Sequence, residues 1–114
     1  MTEFLRTWAE INIRALENNL REIKKRAGNK KIMAVVKANA YGHGAMQLAQ
    51  VMSDFADAFA VATFEEAMEL RRVGIEKEIL ILSPVPHAQY PLIIENGIAT
   101  VLFSSDGARE LSGA

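Results

Sequence analysis

From Ile32 onward, short apolar runs alternate with amphipathic stretches, and this rhythm limits the possible folds more than any other feature of the chain. Ile32-Met33-Ala34-Val35-Val36, Phe59-Ala60-Val61-Ala62, Ile79-Leu80-Ile81-Leu82 and Ile98-Ala99-Thr100-Val101-Leu102-Phe103 have the length and composition of strands. The first is continuously apolar, as expected of a strand covered on both faces. Ala45, Leu48, Ala49, Met52 and Ala56 make a helical stripe between the first two, and Ala67, Leu70 and Val73 make another that stops at Gly74. Thr63-Phe64-Glu65-Glu66 has capping-box spacing, so Glu66 is expected to cap that helix and to share a solvated face with Glu65 and Glu69. His87 to Asn96 reads as a short helix ended by Gly97, with Pro91 marking its start, and Ser104-Ser105-Asp106 caps a last helix through about Leu111.

Upstream, Ala9, Ile11 and Ile13 alternate with Glu10 and Asn12, the period of a short half-buried lead-in strand. Leu16, Leu20, Ile23 and Ala27 then form one stripe of a helix that Asn12 caps and Gly28-Asn29 ends. Strands alternating with helices predict parallel strands joined by right-handed crossovers. Residues 1–114 thus read as one α/β unit, and the strand spacing suits an open sheet or a closed barrel.

Composition narrows the function classes. Thirteen Lys and Arg against fourteen Asp and Glu give a formal charge of -1, and phosphate-backbone binding needs clustered cations. The two basic groups, Lys24-Lys25-Arg26 and Lys30-Lys31, flank a predicted helix end, where cations meet the carbonyl pole of the dipole. No nucleic-acid partner is expected. The absence of cysteine excludes a disulfide framework, a thiolate metal site and a Cys nucleophile, and suits the cytoplasm. Met1 to Arg6 show no charged start followed by an apolar run, so no signal peptide is expected. Apolar runs of about five residues fall far short of the roughly 20 that span a bilayer, so no membrane partner is expected.

In parallel α/β folds, ligands gather at the carboxyl ends of strands. The richest polar cluster follows the first strand: Lys37-Ala38-Asn39-Ala40-Tyr41-Gly42-His43-Gly44. A lysine there stands at the mouth of the sheet, where desolvation favours the neutral amine that attacks a carbonyl. Tyr41 supplies a hydroxyl, and Gly42 and Gly44 free the backbone to approach an anion at the next helix N-terminus. An amine beside an anion site suits an aldehyde that carries phosphate. Against this, a lysine at a strand end is most often a snorkelling surface charge, and G-x-G is a common turn. His43 orients a neighbouring group or is a hydrogen-bonded structural histidine, and His87 reads as a solvated loop residue. Met33, Met46, Met52 and Met68 read as core filler. No His, Asp and Glu set has metal-ligand spacing.

Ala34-Val35-Val36-Lys37-Ala38-Asn39-Ala40-Tyr41-Gly42-His43-Gly44 closely resembles the pyridoxal-phosphate attachment signature of bacterial alanine racemases. Thr7-Trp8-Ala9-Glu10-Ile11, Phe64-Glu65-Glu66-Ala67, Arg71 and Gly74-Ile75 match the same family in order, so the resemblance covers essentially the whole chain. It implies a parallel (β/α) barrel of TIM type, of which about the first four strand–helix units are present. It also implies pyridoxal 5'-phosphate as cofactor and interconversion of L-alanine and D-alanine, which supplies D-alanine for peptidoglycan. In that resemblance Lys37 is the Schiff-base lysine and one of two proton-transfer bases, and Tyr41 hydrogen-bonds the cofactor phosphate. Val35 and Leu82, at matching positions on the first and third strands, line the cofactor pocket. A homodimer is implied for the full-length form.

A TIM barrel typically needs about 250 residues, and the family's opposite-face tyrosine lies in a C-terminal β domain that these residues do not match. The 114 residues alone are therefore expected to be inactive, and their end, just inside a predicted helix, suggests a truncation. With open edges on the first and fourth strands, the chain is expected to be a fragment of a longer protein or to associate through those edges. The alternatives are a non-catalytic pyridoxal-phosphate-binding barrel protein and a fragment that binds nothing.

Overall fold

The computed structural model describes residues 5–114; the first four, which include most of the stretch read for a leader pattern, lie outside the described residues. Helix α1 (Ile13–Ala27) leads into strand β1 (Met33–Val35), the single turn α2 (Lys37–Tyr41) and helix α3 (Ala45–Met52). Strand β2 (Ala58–Val61), helix α4 (Phe64–Arg72), strand β3 (Glu78–Ile81), helix α5 (Tyr90–Glu95), strand β4 (Ile98–Thr100) and helix α6 (Ser105–Ser112) follow. A 3-10 turn over His87–Gln89 feeds α5, with Pro91 in its opening turn as the sequence predicts.

The four strands are parallel and lie in sequential order, β1-β2-β3-β4. When neighbouring parallel strands are joined by crossovers of one hand, every helix falls on the same face. That is how a barrel wall is built, whereas a doubly wound sheet reverses its strand order and carries helices on both faces. Burial follows this geometry. Ala34, Val36, Phe59, Val61, Ile79, Ile81 and Ile98 pack into one core with Ala45 and Ala49 of α3, Ala67 and Leu70 of α4 and Ile93 of α5. Each large aliphatic or aromatic side chain in this layer contributes about 1.5–3 kcal/mol by leaving water.

The opposite face is open. Met33 and Val35 are 43% and 50% exposed. This corrects the expectation that the first strand is covered on both faces, and with it the reading of Met33 as core filler. Only β2 is buried along its whole length, its open-face residues Ala58 and Ala60 being small; β3, which also has a neighbour on each side, is not.

The lead-in strand over residues 7–13 does not form. Residues 7–12 have no regular structure, Ile13 already opens α1, and Trp8 is 62% exposed. Alternation alone does not make a strand when no neighbour offers a ladder of hydrogen bonds. Asn12 does cap α1 as expected, its side chain accepting from the Ala15 amide at 3.0 Å. Of the helix stripe, Leu20 is buried but Ile23 is 51% exposed. Helix α3 and strand β4 stop earlier than the apolar patterns do, at Met52 and Thr100. Helix α6 ends at Ser112, with Gly113 as its C-cap.

Candidate functional site

Strand β1 ends where the chain changes hand. Val36 still bonds into the sheet, its amide donating to the Ala60 carbonyl at 2.9 Å. Beyond it, Ala38, Asn39, Ala40 and Tyr41 all have positive φ, between 53° and 55°. Four consecutive non-glycine residues in the left-handed region are costly, at roughly 1–2 kcal/mol each, so the surroundings must hold them there. Lys37 stands at the start of this turn, half-buried, at the carboxyl end of β1. None of the ion pairs among the described residues involves it.

The turn is fixed from both ends. At its far end, Asn39 gathers the following loop: its carbonyl accepts from Gly42 at 3.1 Å and from Gly44 at 3.0 Å. Its side-chain Oδ1 accepts from the Ala45 amide, the first of α3, at 2.9 Å. His43 donates its amide to the Ala40 carbonyl, and its ring Nδ1 lies 2.8 Å from that same oxygen. His43 is thus a structural histidine with Nδ1 protonated as the donor. These bonds correct one expectation. The backbone at Gly42 and Gly44, read as free to approach an anion, has its amides already occupied by the Asn39 carbonyl, and the Ala45 amide is taken by the Asn39 side chain. The Tyr41 side chain is 70% exposed, and its hydroxyl is not taken up by this network.

At the near end stands a residue that the sequence reading placed elsewhere. The Glu66 carboxylate does not lie on a solvated face and does not close a capping box. Thr63 caps α4, accepting from the Glu66 amide at 3.1 Å. The Glu66 side chain instead accepts from the Ala38 amide at 2.9 Å through Oε1 and from the Ala62 amide at 2.7 Å through Oε2. It therefore ties the end of β1 to the end of β2. The detectable signal was its position in the first turn of a helix directly after a strand, where a carboxylate is both near the strand ends and favoured by the dipole.

Register decides how the remaining predicted residues stand. Val35 pairs with Ala60, and Ala60 pairs with Leu80. Val35 is therefore level with Leu80, and the expected match between Val35 and Leu82 is off by two residues. A shift of two keeps a side chain on the same face, so Leu82 still lies on the open side, 36% exposed. It sits one step past β3, its amide donating to the Val61 carbonyl at 2.8 Å, level with the loop beyond β2. Lys37, Val35 and Leu82 thus share the carboxyl-end mouth of the helix-free face, with β2 between the first two and the third.

Other candidates separate from this mouth. His87 pairs with Glu110 and lies against the Tyr90 ring, 5.0 Å between centroids, so it is not simply solvated. A cleft of about 110 Å³ between the loops after β3 and β4 is lined by Pro84, Val85, His87 and Phe103 among others, and by none of the predicted site residues. Among the described residues no group of three or more acidic, His or Cys side chains is placed to hold a metal, and no helix is long and apolar enough to cross a membrane.

The comparisons with known proteins agree with this architecture. The chain is 42% identical over 101 residues to the alanine racemase of Streptococcus uberis, a match covering 88% of this chain and 27% of that protein. It is 46% identical over 105 residues to the alanine racemase of Xanthomonas axonopodis pv. citri, covering 91% and 28%. The solved alanine racemase of Clostridium difficile 630 superposes with a TM-score of 0.89 at 38% identity, over 96% of this chain and 29% of that one. The chain therefore spans a little over a quarter of the length of these relatives. The family profile described as "Alanine racemase, N-terminal domain" matches residues 11–114, and on that match the chain, a four-strand portion of an α/β barrel, belongs to the alanine racemase family.

Proposed function

We propose that this chain is the cofactor-lysine segment of a pyridoxal-phosphate-dependent alanine racemase, a cytoplasmic enzyme that interconverts L-alanine and D-alanine. The observation that carries the reading is Lys37: a half-buried amine at the carboxyl end of a barrel strand, on the helix-free side, at the head of a turn fixed at both ends. In this reading residues 1–114 form the first part of a barrel domain, whose remaining strands and the following β domain belong to the rest of a longer, homodimeric protein.

The donor set fits the cofactor in part. An amine suits the aldehyde and the Tyr41 hydroxyl suits the phosphate, while Val35 and Leu82 offer apolar edges for the ring. The loop amides after Tyr41 do not add to the phosphate site, since Asn39 holds them. Most phosphate contacts therefore come from outside these residues.

When bound, pyridoxal phosphate supplies the electron-withdrawing system that acidifies the Cα–H bond of an attached amino acid. Lys37 moves a proton at Nζ on one face of that carbon. Racemisation also needs a proton on the opposite face, and Tyr41, on the same loop as Lys37, does not serve it. The 114 residues therefore bind cofactor without racemising alanine. The substrate class follows from the family, whose solved relatives include the Clostridium difficile 630 alanine racemase in complex with cycloserine.

The test is an absorption titration of the chain with pyridoxal phosphate beside Lys37→Ala. The expected result is a borohydride-reducible band with the cofactor mass mapped to Lys37 and lost in the variant. Equal labelling of both proteins would mean that surface lysines react at random and that the segment holds no cofactor site.

A further inference from the structure

We propose that Glu66 is the positioning residue of Lys37: one carboxylate, on the helix after β2, holds the peptide that follows the lysine and the end of the neighbouring strand at once. The inference rests on Lys37 being the cofactor lysine, and deepens that reading.

The β1–β2 ladder ends with the Val36 amide on the Ala60 carbonyl. Past that point the two chains diverge, β2 toward α4 and β1 into the left-handed turn. The Ala38 and Ala62 amides would then have no backbone acceptor between the strands, and the Glu66 oxygens take them at 2.9 and 2.7 Å. A carboxylate is suited to this task because it offers two acceptor oxygens and no donor, and charge-assisted bonds to amides are about twice as strong as neutral ones. Its place as the third residue of α4, capped by Thr63, favours the charge and fixes the side chain's base.

The held amide of Ala38 belongs to the peptide plane that begins at the Lys37 carbonyl carbon. Fixing that plane restricts ψ of Lys37, and hence the direction in which its side chain leaves the strand end. The same bond helps to keep Ala38 at φ 53°, against the preference of an L-residue. A catalytic amine placed on an unsupported turn would sample several directions, and precise placement depends on such supporting contacts. Glu66 does not touch substrate or cofactor in this role and acts through the lysine.

Three readouts on the full chain test the assignment. In the parent protein, NMR exchange should show the Ala38 and Ala62 amides protected; free exchange at both overturns the proposal without any variant. In Glu66→Gln, which keeps one acceptor and turns a donor toward the other amide, one of the two amides should exchange roughly tenfold faster or more. In the same variant, trace acetylation with acetic anhydride, read by mass spectrometry, should change at Lys37 by roughly threefold, while Lys24, Lys30 and Lys77 keep their relative rates. Glu66→Asp, which keeps both oxygens on a shorter arm, should fall between parent and Gln, and it decides the question if the Gln variant does not fold. Unchanged Lys37 labelling beside faster amide exchange would make Glu66 a loop tie only, and the positioning role would be wrong. Altered Lys37 labelling with no Lys37-dependent cofactor adduct in any of the proteins upholds Glu66 and defeats the cofactor reading instead. With the adduct present in the parent, its affinity for pyridoxal phosphate should weaken about tenfold in the Gln variant, and equal affinity overturns the proposal.

Discussion

Arg71 Nη2 donates to the carbonyl of Gly97 at 2.9 Å, joining α4 to the loop that opens β4. The same guanidinium reaches three further carbonyls, those of Ile75, Lys77 and Asn96, at 2.8 to 3.2 Å. One planar fork therefore ties the loops entering β3 and β4, at the end of the sheet opposite Lys37. Arg71→Ala should lower the free energy of urea unfolding by about 2–4 kcal/mol, since several charge-assisted bonds go and carbonyls lose partners. Arg71→Lys should recover little of that, because an ammonium cannot reproduce the fork. Full recovery by Lys would show that charge, not geometry, matters there.

The left-handed turn has its own signature. Asn39 spends its side chain on the Ala45 amide while sitting at φ 55°. Asn39→Gly keeps the backbone preference and loses the bond to the Ala45 amide, at about 1 kcal/mol. Asn39→Ala loses the bond and adds the left-handed penalty, so about 2–3 kcal/mol is expected. Ala38→Val, a β-branched residue at φ 53°, should destabilise by at least as much. Thermal or urea unfolding of the three variants checks the order Gly, then Ala, and Val at 38 no milder than Ala at 39.

Much of the fold was legible because periodicity reports burial directly. The four strands, their helices and the caps at Asn12, Thr63 and Ser104 stand where the residues place them. The sequential strand order was not legible: nothing in the apolar runs distinguishes a barrel wall from an open sheet, and the family resemblance settled it. Lys37 was singled out as a candidate by its place after the first strand, and it does stand at the carboxyl end of β1. Glu66 did not, because Thr63-x-x-Glu66 offers a local partner for the carboxylate, and only the fold brings Ala38, 28 positions away in sequence, within its reach. The lead-in strand failed for a similar reason. Its alternation was real, but strand formation depends on a neighbour that local sequence cannot supply.

Asp57 makes a contact that acid should break. Its carboxylate accepts from the Ile32 amide at 2.7 Å and lies 3.9 Å from Lys24. The amide bond holds its pKa below the ordinary 3.8, opposed by desolvation and aided by Lys24, Lys77 and Lys31. A group depressed in the folded state contributes stability above its unfolded value, and that contribution is lost as pH falls through the folded one. Thermal unfolding of the parent should therefore steepen below pH 3.8, and Asp57→Asn should flatten that limb while leaving neutral pH stability slightly lower. Parallel pH profiles for the two proteins would show that Asp57 does not supply the acid sensitivity.

Two adjacent valines test the one-sided core. Val36 is 1% exposed among the helices, and Val35, its neighbour on the other face, is 50% exposed. Truncation to alanine removes two methyl groups in both cases, but only Val36 leaves a cavity behind. Val36→Ala should cost about 2 kcal/mol and Val35→Ala under about 1 kcal/mol in urea unfolding. A sheet covered on both faces would make the two costs alike. If Val35 also edges the cofactor, Val35→Ala should weaken pyridoxal phosphate binding with little change in stability, whereas Val36→Ala should do the reverse. A residue facing the mouth of the barrel is thereby told from one facing its wall by one position in the sequence.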